Sequence, residues 1–557
     1  MAQDNQNCLK KLNEKIDWNM EEKSHEFLRE LNSFIGDYEG QLPNLRDIFR
    51  PEAIDWLIEQ SLYNHENDEH NPTIDLVINT GYRDEPKVDE DGKPLLRRTT
   101  PIHRAARRKF FCCRNTIREL FRIYDKFDVN YTDDDGYTHF HVACEYGLVD
   151  VVKKFLELGQ DLNCLVTKTC ESPLHLDLAN HRKEVAKLLL RSGANPNLAN
   201  KDGATPLHII CQDYFNIENM TEILFEINND KPQTLQFNAR TKNGDTPLHF
   251  AMQNSNRKMI EFLLRNGADP NMVNEEGSTP LHITCRDCCD DHKSMEIFFK
   301  TNKEVNRMVQ VDAQDNLGRT PLQLAVANFL PDVINILLDN GADLSSFVFP
   351  TSFGLTEWGQ SNELELRLSL ASGALLVVER LEKRGYELAR KDALMIMKFF
   401  AEHELFMKST DLNYDWLDDE EFVEEAENII VNESDDDDEK FAVEAKKKVI
   451  KPSLLLLDLI QLRPEKAAKL LTYEDYFNFT TSYKLDELSE EGLTMEVCAR
   501  CLCEKISRGF FRRWALDPLL ELTKYQLPIL CCYMIIEQLM NEDLSNICLA
   551  AAGESSA

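Results

Sequence analysis

The chain has 557 residues, more than one hydrophobic core supports, so two to four folded units are expected. Its 43% hydrophobic and 9% aromatic content is that of a folded protein and excludes a wholly disordered chain. The formal charge of −34, from 63 basic and 97 acidic residues, repels phosphate backbones and anionic lipid, so nucleic acid and membrane surfaces are not expected partners.

The N-terminus carries no apolar core of a secretory signal. The most apolar runs, 454–457 and 527–536, are far shorter than the roughly 20 residues needed to cross a bilayer. Sixteen cysteines are spread along a long chain rather than concentrated in a small domain, which indicates a reducing compartment. We therefore expect a cytoplasmic or nuclear protein, or one present in both.

Residues 1–95 are predicted to form a helical cap that includes one degenerate repeat. Residues 51–58 read as an amphipathic helix that begins at a proline, and residues 73–81 resemble the end of a repeat unit. The charged residues 83–98 that follow are expected to form a long finger loop. Such a cap would shield the end of a stacked array from solvent.

A short sequence recurs through the middle of the chain. Residues 203–208 (GATPLH), 244–249 (GDTPLH) and 277–282 (GSTPLH) are near copies, and weaker versions begin elsewhere. Measured from the Thr or Ser, the intervals are 38, 34, 33, 41, 33 and 41 residues. The seven copies, one to seven in chain order, are anchored at Thr100, Thr138, Ser172, Thr205, Thr246, Thr279 and Thr320.

Each part of the motif has a structural reason. Glycine allows the positive φ of a tight turn, Thr caps a first helix, and Pro occupies its first position. A second apolar helix follows and ends at a glycine such as Gly193 or Gly267. With this period and these sequence motifs, residues 96–350 resemble about seven ankyrin repeats. The resemblance implies an all-α solenoid with short β-hairpin fingers, a helical N-terminal cap and a small helical C-terminal domain.

The resemblance also implies where a target protein would bind. In ankyrin proteins the fingers and first helices line a concave face, with exposed residues late in the first helix. Carried over copy by copy, the target-face residues are Arg107, Glu145, Tyr146, Gln212, Asp213, Gln253, Asn254, Arg286, Asp287 and Asn328.

The histidines and cysteines favour structure over chemistry. Six histidines occupy the same position in six copies, where the resemblance implies a structural hydrogen bond, and Cys144, Cys211 and Cys285 share a position that wants a small apolar side chain. The spacing of Cys498, Cys501 and Cys503 suits a metal, but no second ligand pair follows. Without a catalytic motif either, we expect no enzyme activity, no metal and no cofactor.

Two segments separate the repeats from the C-terminal region. Residues 351–417 are predicted to be a helical extension. Residues 418–450 are predicted to be an acidic linker, since 13 of the 22 residues in 418–439 are Asp or Glu and none is basic. Docking of this strip onto a basic partner is the alternative. The three lysines at 446–448 are a weak match to a nuclear-import signal.

Residues 451–557 are predicted to be a small helical domain. Leu527 and Pro528 are followed by an apolar residue at +8, Leu at +12, and Asp-Leu at +16 and +17. This phrase resembles the F-box and, behind ankyrin repeats, the PRANC domain of poxviruses, some intracellular bacteria and parasitoid wasps. The matching positions are Leu527, Pro528, Ile535, Leu539, Asp543 and Leu544.

The two resemblances together imply an adaptor. The F-box-like helices would dock the Skp-type linker of a cullin-RING ubiquitin ligase, while the repeats hold a target protein, and catalysis would belong to the partners. The alternative is a scaffold or masking inhibitor, for example of a Rel-type transcription factor, that recruits no ligase. The sequence identifies no particular target, because repeat surfaces serve many unrelated functions.

Overall fold

The computed structural model describes residues 45–64, 71–108, 114–212, 235–286, 292–353, 363–407, 449–451, 454–455, 459–460, 462–480 and 493–553. By contacts between residues the chain divides into two compact units, 1–275 and 276–557. The predicted acidic linker, with its lysine run, falls almost entirely outside the described residues.

The first unit is a stack of paired helices that holds copies one to five. A 3-10 turn at Leu45–Asp47 precedes them. In chain order the helices are α1 (Pro51–Asn64), α2 (Pro72–Asn79), α3 (Pro101–Arg107), α4 (Arg114–Ile123), α5 (His139–Glu145), α6 (Val149–Glu157), α7 (Pro173–Ala179), α8 (Lys183–Arg191), α9 (Pro206–Gln212), α10 (Pro247–Gln253) and α11 (Arg257–Arg265).

The predicted helix starts are confirmed by hydrogen bonds. At the start of α5, the Thr138 hydroxyl accepts from the backbone N–H of His141 at 3.2 Å, and the Thr138 N–H donates to His141 Nδ1 at 3.2 Å. Ser172 and His175 repeat this arrangement at the start of α7. Such a reciprocal cap satisfies N–H groups that a helix start otherwise leaves without partners.

The same histidines join neighbouring copies. His141 Nε2 donates to the carbonyl oxygen of Cys164 at 3.1 Å, and His175 Nε2 donates to that of Ala204 at 3.0 Å. The finger loops are joined as well, since the Lys168 N–H donates to the Asp135 carbonyl at 3.2 Å. The predicted structural role of the repeat histidines is therefore confirmed.

Helices α1 and α2 continue the stack toward the N-terminus, because α1 packs on α3 and α2 packs on α4. A buried network fixes the following finger to them. Arg98 bonds Asp55 on α1 and lies 2.9 Å from Asp84, and the Tyr131 hydroxyl donates to Asp84 at 2.6 Å. Shared hydrogen bonds of this kind offset the cost of burying charge.

The second unit holds copies six and seven and the C-terminal helices. Its elements are α12 (Pro280–Arg286), α13 (His292–Glu304), α14 (Pro321–Ala327), α15 (Pro331–Asp339), α16 (Glu363–Lys383), α17 (Arg390–Glu402), β1 (Val449–Lys451), β2 (Leu454–Leu455), α18 (Pro464–Leu470), α19 (Tyr473–Thr480), α20 (Leu493–Leu522), α21 (Ile529–Gln538) and α22 (Asn541–Ala551). The two short strands pair antiparallel.

The long helix α20 is the centre of the second unit. It packs against α16, α17, α18, α21 and α22. Phe511 on α20 meets Phe400 and Phe406 with ring centroids 5.4 and 5.3 Å apart. The predicted helical extension and the predicted C-terminal domain thus contribute to one core, because apolar faces on both segments cover each other.

The helical fold class is confirmed, with one difference in the fingers. The finger residues that the structure describes form isolated bridges, such as Val88 with Pro94 and Thr132 with Thr138, where hairpin strands were expected. Side chains replace part of the ladder, since Asp133 Oδ1 accepts from the N–H groups of Asp135 and Tyr137, both at 2.9 Å. Among the described helices, none combines the length and apolarity that a bilayer crossing requires.

Candidate functional site

Helix α21 presents apolar side chains to solvent. Pro528 is its N-cap, and only Cys532 and Ile536 among its residues are buried. The exposed fractions are 52% for Ile529, 73% for Leu530, 49% for Tyr533 and 67% for Met534. The spacing i, i+1, i+4, i+5 places these four residues on one side of the helix. We call them the α21 apolar surface.

The C-terminal end of α21 is held by buried polar groups on α20. Arg508 donates to the carbonyl oxygen of Glu537 at 3.1 Å and to Asn541 Oδ1 at 3.2 Å. The Asn541 N–H donates to Glu504 Oε1 at 3.0 Å, and burial raises the pKa of Glu504 to about 7. Because these bonds fix the turn between α21 and α22, the exposed side of α21 keeps a defined orientation.

The predicted docking residues divide into supporting and exposed positions. Leu527 and Leu539 are half-buried, while Leu544 is fully buried. Asp543 is exposed and caps α22, because its Oδ2 accepts from the Met540 N–H at 3.0 Å. Pro528 is also exposed, and Ile535, with 37% exposure, flanks the α21 apolar surface.

The sequence interpretation missed the most exposed members of this surface, Leu530 and Met534. Eight consecutive residues of α21, 529–536, are apolar, so the helix has no polar side to turn toward solvent. That pattern was a usable signal, since a helix that is apolar all round needs partners on every side.

The predicted target-face residues occupy different environments. Arg107, Gln212 and Gln253 are exposed, and Arg286 is partly exposed. Arg107 bonds Asp133 and Asp135, and Arg286 lies 2.7 Å from Glu276. Asp213 and Asp287 lie outside the described residues.

The expected exposure is wrong for Glu145, Tyr146 and Asn328, which are buried, and Asn254 is only partly exposed. Three of these side chains connect neighbouring copies. The Tyr146 hydroxyl donates to the Ala106 carbonyl at 3.2 Å, Asn254 donates to that of Cys211 at 3.2 Å, and Asn328 donates to that of Cys285 at 2.9 Å. The residue that follows the first helix therefore connects its copy to the preceding one by a hydrogen bond.

Burial accounts for the titration of the repeat histidines. It lowers the pKa of His103, His141 and His208 to about 4. A neutral ring suits the bonds of His141 and His208, in which Nδ1 accepts from a backbone N–H and Nε2 donates to a carbonyl oxygen. These rings are thus fixed parts of the repeat framework.

The cysteines with metal-like spacing lie in the interior of α20. Cys498, Cys501 and Cys503 are all buried. Lys505 Nζ donates to Cys501 Sγ at 3.1 Å, and burial raises the pKa of the Cys503 thiol. The raised pKa keeps the Cys503 thiol protonated and unreactive.

Comparison with known proteins agrees with the repeat geometry. Family models described as ankyrin repeats match residues 124–179, 174–274 and 259–347. The human transient receptor potential cation channel subfamily A member 1 is 31% identical over 218 residues, which is 38% of this chain and 18% of the channel. Human B-cell lymphoma 3 protein is 27% identical over 219 residues, 38% of this chain and 45% of that protein.

Among solved structures, the ankyrin repeat domain of Bcl-3, described as a unique member of the IkappaB protein family, aligns with a TM-score of 0.33 and 26% identity, covering 38% of this chain and 90% of that one. The matched segment is less than half the length of each of the two relatives above. The family matches and the repeated helix pairs establish one point about this chain: residues 124–347 are ankyrin repeats.

Proposed function

We propose that the chain is a non-catalytic adaptor. Its ankyrin repeats bind a target protein, and α21 docks the Skp-type linker of a cullin-RING ubiquitin ligase. The observation that carries this proposal is the α21 apolar surface, which directly follows the Leu527-Pro528 pair that resembles the start of an F-box. Ubiquitin transfer belongs to the ligase partners.

The chemistry of the surface supports a protein partner. Helix α21 has four large apolar side chains on one side. Such a helix suits binding in an apolar groove of a partner protein. An exposed apolar patch of this kind marks an interaction site in a folded protein. The supporting residues Leu544 and Asn541 fix the helix, and the exposed residues supply the contact.

The test is capture of a purified linker–cullin pair by the full-length chain, measured by biolayer interferometry. The full chain is needed because the core around α20 includes residues from α16 and α17. We expect Leu530→Glu to weaken binding at least tenfold, since a carboxylate would be desolvated in an apolar contact.

Leu158→Glu is the matched control, because Leu158 is also an exposed leucine, at 58%, but lies after α6 in the repeats. It should leave linker binding unchanged. The adaptor proposal is refuted if the unmodified chain does not bind the linker, or if Leu530→Glu binds as well as the unmodified chain does.

A second candidate is a masking protein that holds a target, for example a Rel-type transcription factor, without recruiting a ligase. The similarity of the repeats to B-cell lymphoma 3 protein supports it. This function predicts a stable target complex whose level in cells does not change when the proteasome is inhibited. Accumulation of the target on inhibition would favour the adaptor.

A further inference from the structure

A cavity of about 300 Å³ lies in the second unit beside the first helix of copy seven. It is lined by the finger of copy seven, by α14 and by residues 348–352, which follow α15. Since a cavity of about 150 Å³ admits a benzene ring, this one has room for a large apolar side chain and for a polar group at its mouth. We call it the copy-seven cavity.

The walls of the copy-seven cavity are mainly apolar. Leu324, Ala327 and Phe349 line it and are themselves buried, with 5%, 8% and 6% of their surface exposed. Leu317 and Val348 also line it but are 75% and 56% exposed, so they lie at its mouth. Exposed apolar side chains around a cavity mark a binding site for an apolar group.

Leu317 departs from the pattern of the other fingers. It stands three residues before the cap of α14, and its counterparts in copies one to six are all polar: Arg97, Asp135, Thr169, Asp202, Asn243 and Glu276. The finger turn fixes Leu317, because Asp315 Oδ1 accepts from the N–H groups of Leu317 at 2.9 Å and of Arg319 at 2.8 Å. An apolar side chain is therefore held at a position where the other copies carry a polar one.

The charged side chains in the lining are both arginines, Arg286 and Arg319. Each already has a carboxylate partner, since Arg319 Nε donates to Asp315 Oδ2 at 2.8 Å and Arg286 Nη1 donates to Glu276 Oε2 at 2.7 Å. In the described part of the chain these ion pairs leave Nη1 of Arg319 and Nη2 of Arg286 for a ligand. A carboxylate would thus be recognised by the remaining N–H donors, through charge-assisted hydrogen bonds, and not by an excess of positive charge.

We infer that the copy-seven cavity receives a segment of the bound target in which a leucine, methionine or phenylalanine adjoins an acidic residue. The apolar side chain fills the cavity between Leu317 and Val348, and the neighbouring carboxylate accepts from Arg286 and Arg319. The inference rests on the proposed function of the repeats as the target-binding part. It gives that target a chemical requirement, an exposed apolar residue beside an acid.

The experiment uses the full-length chain and three acetylated pentapeptide amides as probes. The test peptide is Gly-Glu-Leu-Glu-Gly. A second peptide has glutamine in place of both glutamates, and a third has alanine in place of leucine. Titration is followed by saturation-transfer NMR, which detects weak binding to a large protein. We expect the test peptide to bind at least about fivefold more tightly than either of the others, because it alone combines burial of a large apolar side chain with charge-assisted hydrogen bonds.

Two variants separate the apolar contact from the ionic one. Leu317→Asn introduces the residue that copy five has at this position, and should weaken binding of the test peptide at least about threefold through lost apolar contact. Arg286→Gln should weaken it at least about threefold through the loss of a donor to the carboxylate, and should leave binding of the glutamine peptide unchanged. Leu158→Asn, at an exposed leucine after α6, is the control and should change nothing.

The inference is overturned if the test peptide does not bind, if the glutamine or alanine peptide binds equally well, or if Leu317→Asn binds the test peptide as tightly as the unmodified chain does. These outcomes are independent of linker capture through Leu530. Loss of peptide binding with intact linker capture removes the cavity proposal alone. Loss of linker capture with intact peptide binding removes the ligase proposal alone.

Discussion

Helices α5 and α21 show that apolar composition does not decide burial. In α5 all seven residues are buried, including His139, His141 and Glu145. In α21 eight of ten residues are apolar, but only two are buried. Helix α5 is enclosed by α3, α6 and α7, whereas α21 packs mainly on α20. A helix with neighbours on several sides buries even its polar residues, whereas a helix that packs mainly on one neighbour leaves apolar residues exposed.

The difference between α5 and α21 is tested most strongly by replacing one apolar residue of each helix with alanine. Phe140 on α5 is fully buried, so Phe140→Ala should lower the free energy of unfolding by about 3–5 kcal/mol through a lost contact and a cavity. Leu530→Ala on α21 should change it by about 0.5 kcal/mol or less. Urea denaturation followed by circular dichroism measures both. A large loss for Leu530→Ala would mean that α21 is structural.

Substitutions at His141 on α5 can separate the effect of its hydrogen bonds from the effect of its protonation. Copy seven shows that glutamine can make the same two hydrogen bonds. Gln323 occupies the equivalent position, accepts from the Thr320 N–H at 2.8 Å and donates to the Val348 carbonyl at 3.0 Å. His141→Gln should therefore retain most stability at pH 7.5. His141→Ala should cost about 1–3 kcal/mol, because buried groups lose their partners.

These variants also differ with pH. The pKa of His141 is lowered to about 4 in the folded state, while the unfolded side chain titrates near 6.5. Between these values the unfolded chain binds more protons, so stability falls as pH falls, by up to about 3 kcal/mol for this residue. His141→Gln should lose less stability than the unmodified chain between pH 7.5 and pH 4.5. Equal losses would show that His141 is charged in the fold.

One substitution is expected to increase stability. Asp177 on α7 is fully buried, and among the described residues neither of its carboxylate oxygens has a hydrogen-bond partner. Four other copies carry alanine at the equivalent position: Ala105, Ala143, Ala251 and Ala325. Asp177→Ala should raise the free energy of unfolding by about 1–3 kcal/mol, the cost of an unsatisfied polar group. Asp202→Ala, at an exposed aspartate, is the control.

Burial raises the pKa of Asp177 well above its ordinary value, so the folded state binds more protons here and stability falls as pH rises. The gain from Asp177→Ala should thus be larger at pH 7 than at pH 4. A loss of stability, or a gain that shrinks as pH rises, would show that Asp177 has a structural role.

Much of the repeat framework was predictable, because its signals are local. A first helix starts with a cap and a histidine three residues later, as at Thr138 and Ser172. A second helix ends at a glycine with positive φ, as at Gly193 with φ of +100°. The exposure of the target face was not predictable in the same way. Tyr146 and Asn328 are buried because their donors reach a carbonyl in the preceding copy.

By itself, the sequence determined the period, the helix starts and stops, and the F-box-like spacing from Leu527 to Leu544, because each depends on chain-local geometry. Only the tertiary structure decided that Glu145 is buried, that the Asp177 carboxylate has no hydrogen-bond partner among the described residues, and that Leu530 and Met534 are exposed. The physical reason is that exposure depends on which neighbouring helices cover a side chain, and those helices come from distant parts of the chain.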